Sequence, residues 1–284
     1  MIQVKNLSYT YLSTTTPAIK NLDFEIAPGE IFGFLGPSGA GKSTTQKVLI
    51  RLLRDYQGTV EVLGRNLGKW GQDYFERIGV SFELPNHYSK LTGLENLAYF
   101  SSLYEGEIRD IPGLLESVGL ENDGAMLVSQ YSKGMKNRLN VARSLLHNPD
   151  LLFLDEPTAG LDPVNARRIK DLILDQKNAG KTIFLTTHDM TVADELCDRL
   201  AFLLDGEISL IDSPPNLKLR YGKPEVKVEY LSGDVIQSQI FPIKGLGENE
   251  TFQAVLRDNQ LRTMHTQEAT LETIFIKVTG RSLV

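Results

Sequence analysis

The chain has 284 residues, a formal net charge of -6 and one cysteine, with 41% of residues hydrophobic. That length can bury a large core and carry one α/β domain with an appendage, and the acidic balance argues against a nucleic-acid binder, whose surfaces are basic. The lone Cys197 excludes an internal disulfide framework and suits a reducing cytosol, Met1 to Lys5 lacks the makings of a signal peptide, and no apolar run approaches the roughly 20 residues that cross a bilayer. Any membrane role is therefore expected to be peripheral.

In chain order, Ile2 to Tyr11 and Lys20 to Ile26 read as early strands, and Pro28-Gly29 as a turn before the apolar strand Ile31 to Leu35. That strand runs into Gly36, Pro37, Ser38, Gly39, Ala40, Gly41, Lys42, Ser43 and Thr44, followed by a helical pattern carrying Val48, Leu49, Leu52 and Leu53. This is the pattern of a phosphate-binding loop. Its glycines let successive backbone N–H groups point at a polyphosphate, and the helix adds the positive end of its dipole. Lys42 would reach the β- and γ-phosphates, and the Ser43 hydroxyl would ligate Mg²⁺.

Gly58 to Leu63 and Ile78 to Phe82 read as further strands, and from Leu84 to Gly119 the spacing turns helical through Leu94, Leu97, Ala98, Leu114, Leu115 and Val118. Tyr131-Ser132-Lys133-Gly134-Met135 precedes a helical stretch, Lys136 to Leu146, so Ser132 reads as a helix N-cap, and the same exposed start can hold an anion. Leu151 to Leu154, Thr182 to Leu185 and Leu200 to Leu204 are strand-like, the first two as continuous apolar runs expected of a covered parallel sheet. Asp155 and Glu156 end the first of these runs, on the side where ligands sit in such sheets. Asp155 would hold Mg²⁺ through water, and Glu156 would orient and deprotonate an attacking water. Asp162 before Pro163 is a good helix N-cap.

The ordered set of phosphate loop, Ser-x-Gly helix start, Asp-Glu strand end, Ala159-Gly160-Leu161-Asp162 and Thr187-His188 resembles the nucleotide-binding subunit of ABC transporters, over roughly Met1 to Pro214. The resemblance implies an α/β fold of the P-loop NTPase, ABC-cassette type: a mixed sheet core with an antiparallel β subdomain and an inserted helical subdomain. Residues 1–215 would form the ATP-binding domain, with the helical subdomain at about 84–147, and residues 216–284 a small C-terminal α+β accessory domain. It also implies ATP and Mg²⁺ as ligands and an exporter-type ATPase that drives a separate integral membrane permease. A homodimer, or a paired ABC subunit, would hold ATP at its interface, on the cytoplasmic face of the cell membrane.

Gly36 to Thr44 match the family's Walker A loop and Leu151 to Glu156 its Walker B strand with the catalytic glutamate. Tyr131 to Met135 stand where the signature Leu-Ser-Gly-Gly-Gln is usual, and Ser132 and Gly134 would touch ATP held by the opposite subunit. Asp162 matches the aspartate at the dimer seam, and His188 the histidine that bonds the γ-phosphate. Tyr11 matches the aromatic that stacks on adenine, with Tyr9 as a competitor on the same strand face. Glu83 stands where the family has a glutamine that binds Mg²⁺, and it is expected to be a metal ligand that retunes the site.

Leu84-Pro85-Asn86-His87-Tyr88 would line a groove for a helix of the permease, or form an ordinary surface loop; His87 itself has no evident partner. Beyond Pro214-Pro215, Val226, Val228 and Tyr230 alternate with charged residues as in a half-buried strand, and Leu271, Ile274, Phe275 and Val278 mark a helix stopped by Gly280. An alternative reading of the whole chain is a soluble ABC ATPase of cofactor assembly or another non-transport process.

Overall fold

The computed structural model describes residues 1–281 apart from Pro85, Lys223, Asp234 and Glu268. The chain divides into two units, Met1–Ser213 and Pro214–Arg281. In the first, β1 (Ile2–Tyr9), β2 (Ile19–Ile26), β3 (Ile31–Leu35), α1 (Lys42–Leu49), β4 (Gln57–Val62) and β5 (Arg65–Asn66) come first. Then follow β6 (Ile78–Ser81), α2 (Gly93–Ser101), α3 (Ile111–Ser117), α4 (Lys133–Ser144) and β7 (Leu151–Asp155). The unit closes with α5 (Pro163–Asn178), β8 (Thr182–Thr187), α6 (Met190–Leu196), β9 (Arg199–Leu204) and β10 (Glu207–Asp212).

Two sheets result. One is antiparallel, in the order β2-β1-β4-β5; the other has the order β10-β9-β3-β8-β7-β6, parallel from β9 to β6 with β10 added antiparallel at the edge. Strands β3, β7 and β8 are buried at every position, as their continuous apolar or threonine-capped runs require of a central sheet covered on both faces. Residues from both sheets and from α1 form one core, in which Phe34 meets Phe24 edge-on with ring centres 5.0 Å apart and Phe184 at the same separation. This packing fixes the carboxyl ends of β3, β7 and β8 side by side, and the loops that leave them carry the chemistry.

Helices α2, α3 and α4 form the helical segment between β6 and β7, and each begins on a side chain that accepts from its first turn: Thr92 in a reciprocal capping box with Glu95, Asp110, and Ser132. Of the boundaries that differ from the sequence reading, three bear on the site. The helix after the phosphate loop ends at Leu49, because Arg51 adopts a left-handed φ of 63°, so Leu52 and Leu53 lie beyond it. The cap at Ser132 starts α4 at Lys133, three residues before Lys136. Strand β1 stops at Tyr9, which leaves Tyr11 in the turn beyond it.

The second unit contains α7 (Pro214–Tyr221), β11 (Glu225–Ser232), β12 (Val235–Pro242), α8 (Glu250–Asp258), β13 (Gln260–Gln267) and α9 (Leu271–Thr279). Its antiparallel sheet has the order β12-β11-β13, and Val226, Val228 and Tyr230 of β11 pack with Phe241, Phe252 and Val255 in a small core. Helix α9 packs on α7 and ends at Gly280, whose φ of 71° closes the last turn. No helix among the described residues is long and apolar enough to cross a membrane.

Phe34 is fully buried where the two sheets meet, so Phe34→Ala should cost about 3–5 kcal/mol, read as a fall in the urea midpoint of the nucleotide-free protein.

Candidate functional site

The loop between β3 and α1 leaves the sheet through a gap that admits only glycine: a Cβ on Gly36 would lie 2.1 Å from the Leu203 carbonyl oxygen of β9. Gly41 precedes α1 at φ 108° and offers no side-chain cap, so no side chain occupies the first amides of the helix and its positive end faces the loop. Lys42 is buried and its Nζ donates to the carbonyl oxygens of Gly36 at 2.6 Å and Pro37 at 3.1 Å, which folds the side chain over the loop. Burial pushes its pKa down, against the pull of Glu156, Asp155 and Glu83.

Those carboxylates line the same cleft as Ser38 to Thr44 and His188, a space of about 320 Å³. Asp155 ends β7, accepts a hydrogen bond from the Thr186 hydroxyl of β8, and has Oδ2 3.5 Å from the Ser43 hydroxyl. Burial raises its pKa, as do Glu83 and Glu156 nearby, while Thr186 and Lys42 oppose the rise. Glu156, one residue on, is buried and adopts a left-handed φ of 48°, a strained conformation for a side chain of its size. Its Oε2 accepts from the Thr187 hydroxyl at 3.1 Å, and its Oε1 from the His188 amide at 2.8 Å.

Oε1 also lies 2.6 Å from His188 Nδ1. An ionised carboxylate can only accept, so the ring carries its proton on Nδ1 and turns Nε2 outward from a side chain that is 64% exposed. Glu83 is exposed at the rim of the cleft. No group of three or more His, Cys, Asp or Glu side chains able to hold a metal occurs among the described residues, so a divalent ion at Ser43 and Asp155 would need oxygens from phosphate and water, as suits a small, reluctantly dehydrated cation.

Ser132, Gly134 and Asp162 lie outside the walls of this cleft, Ser132 and Asp162 exposed and Gly134 half-buried. Ser132 caps α4 by accepting from the Met135 amide at 3.2 Å, and a Cβ on Gly134 would stand 3.3 Å from the Gly160 carbonyl oxygen. Asp162 caps α5, accepting from the amides of Val164 and Asn165, and these bonds hold its carboxyl below the usual range. Sequence reasoning missed Asn137. It is buried and its amide donates to the carbonyl oxygens of Pro157 at 3.3 Å and Ala159 at 3.1 Å, fastening the start of α4 to the segment that follows Glu156. Spacing gives no signal for it, since its helix-face neighbours Lys133, Gly134, Asn140 and Ser144 are not apolar either. The Tyr11 hydroxyl reaches Thr44 Oγ1 at 3.2 Å, with its ring edge-on to Tyr9, so both tyrosines stand beside the loop helix.

A larger groove, of about 550 Å³, lies away from the phosphate loop, among Phe75, Phe82, Tyr88, Phe100, Leu103 and Tyr104. Of the segment Leu84 to Tyr88, Pro85 lies outside the described residues. Helix α4 holds both the strand end before this segment and the segment itself: Asn140 donates to Ser81 Oγ and the Phe82 carbonyl oxygen, and Arg143 donates to the Asn86 carbonyl oxygen at 2.8 Å while stacking over Phe100. His87 proves half-buried, with Nε2 2.9 Å from the Lys136 carbonyl oxygen and Nδ1 unpartnered. Burial pushes its pKa down to about 4. A histidine depressed in the folded state favours folding above its ordinary pKa and loses that advantage as pH falls toward 4. The chain should therefore lose about 1–2 kcal/mol through this group between pH 7 and pH 4.5, and His87→Phe should flatten that part of the urea-midpoint profile.

Residues 19–159 match the family described as ABC transporter, and residues 225–268 match the fluoroquinolone efflux ABC transporter C-terminal domain. The fluoroquinolones export ATP-binding protein of Mycobacterium tuberculosis is 55% identical over 284 residues, covering 100% of this chain and 94% of that protein. The bacitracin transport ATP-binding protein of Bacillus licheniformis is 36% identical over 207 residues, 72% of this chain and 68% of its own length. Among solved structures, a dimeric ATP-binding cassette in a post-hydrolysis state with ADP and Pi superimposes with a TM-score of 0.69 at 29% identity, covering 75% of this chain and 99% of that one. The chain belongs to the ABC transporter family, as an ATP-binding and ATP-hydrolysing subunit of an export system.

Proposed function

We propose that two copies of the cassette, residues 1–215 of each, close on two ATP molecules, with residues 216–284 as an accessory domain. The phosphate loop and Lys42 grip the triphosphate, and Tyr11 stacks on adenine. The observation that carries this reading is the Glu156 carboxylate, held by Thr187 and by both the amide and the ring of His188 beside the buried Lys42 ammonium. So placed, Glu156 takes the proton of the attacking water, and His188 Nε2 is left to meet the γ-phosphate. Ser43 Oγ and Asp155, with Glu83 at the rim, would hold magnesium, which would neutralise charge on the phosphates. Ser132, Gly134 and Asp162, which lie away from their own cleft, act on the nucleotide of the opposite subunit.

Closure and reopening of the pair passes to an integral membrane permease that docks in the aromatic groove beside His87 and Tyr88, on the cytoplasmic face of the membrane. The match of both cassette and C-terminal region to fluoroquinolone exporters supports a drug of that class as cargo. The second subunit is another copy of this chain or a related cassette.

Glu156→Gln should still bind ATP yet hydrolyse it about 10²–10⁴ times more slowly, and gel filtration with ATP should show a trapped dimer; a wild-type rate would remove Glu156 as the base. Removing the Glu83 charge next to Asp155 and Lys42 should weaken the hold on the metal. In Glu83→Gln the magnesium concentration for half-maximal ATPase should rise several-fold, whereas an unchanged titration would place the side chain outside the metal's ligands.

A further inference from the structure

Strand β12 is the open edge of the C-terminal sheet, and it carries no charge. Its sequence is Val235-Ile236-Gln237-Ser238-Gln239-Ile240-Phe241-Pro242, and every residue except Phe241 is exposed, Ile236 at 56% and Ile240 at 53%. Edge strands in monomers are blunted by lysine, inward charges, bulges or proline within the run. Here the register with β11 is unbroken from Val235 to Pro242, and proline stands only at the last position. The other edge, β13, carries Arg262 and His265 and has a register shift against β11. The two edges are thus treated differently.

The core of β12 reads the same in both directions: Ile-Gln-Ser-Gln-Ile, centred on Ser238. An antiparallel pair related by a two-fold axis at Ser238 sets Ile236 opposite Ile240 of the second copy, twice, and Gln237 opposite Gln239, twice. Ser238 then faces itself. Ile236, Ser238 and Ile240 share one face of the sheet, so the two isoleucine pairs flank the axis on that face. A two-fold contact uses one self-complementary patch, and a charge-free palindrome meets that demand with no like charges opposed.

We propose that β12 pairs with β12 of a second copy of this chain, joining two C-terminal sheets into one continuous sheet. The contact needs no nucleotide and none of the residues of the ATP cleft. It gives the subunit a second mode of association, present when the cassettes are open.

The test is register-specific crosslinking of the full chain without nucleotide. Residues opposite one another in an antiparallel pair have Cα atoms about 4.5–5.5 Å apart, within disulfide range, so Ser238→Cys should crosslink to itself under mild oxidation. In Ile236→Cys the two thiols would be roughly 13 Å apart along the strands, and the single variant should crosslink at least about tenfold more slowly. Ile236→Cys with Ile240→Cys should restore it. Cys197 is buried and burial pushes its thiol up, so the native background is silent. Sedimentation velocity of the unaltered, nucleotide-free chain should show dimer growing with concentration. A monomer throughout the micromolar range, or equal crosslinking of Ser238→Cys and Ile236→Cys, overturns the proposal, whatever the outcome for the ATP-dependent pair.

Discussion

Three carboxylates face one ammonium in a partly desolvated cleft, and the surrounding structure serves that imbalance. The Thr186 hydroxyl opposes the effect of burial on Asp155, and Thr187 and His188 donate hydrogen bonds to Glu156, all from the carboxyl end of β8. Lys42 is drawn two ways, depressed by burial and supported by the acids around it. The carboxylates of such a cleft favour a divalent cation and the amides at the start of α1 favour an anion, so a phosphate chain with its metal suits both. The left-handed backbone at Glu156 is the cost of turning that side chain into the cleft immediately after a fully buried strand.

The sheet makes this convergence possible. Strands β3, β7 and β8 lie side by side because each is apolar on both faces, and their carboxyl ends must then emerge in one row. Phosphate loop, acid pair and histidine are far apart in the chain and become neighbours through nothing more than strand order. The helical segment reaches the same region from the side, through Asn140 and Arg143 on the segment that bears Glu83.

Much of this was legible in the sequence. Continuous apolar runs announced β3, β7 and β8, and glycine spacing with Lys42 and Ser43 announced the loop, because those patterns follow from local geometry. The end of α1 was not legible, since Leu52 and Leu53 continue the apolar spacing and the stop comes from the backbone of Arg51. Strand β12 has no alternation to read, since all of it but Phe241 is exposed. Asn137, Thr186 and Thr187 are ordinary residues whose importance comes from the carbonyl or carboxylate they meet across the fold, and spacing carries no trace of such contacts. The resemblance to ABC cassettes supplied Ser132, Gly134 and Asp162, which within one chain serve as helix caps or sit beside one and would gain a further role only in the proposed pair.

The tether from Asn137 to the carbonyl oxygens of Pro157 and Ala159 would give that role a thermodynamic content. In the pair proposed above, the stretch after Glu156 would be bolted to the helix start that meets the neighbouring molecule, so loss of a phosphate on one side would alter the surface that grips the other. Linkage would make that influence mutual, so in such a pair neither nucleotide would have an affinity definable without reference to its twin.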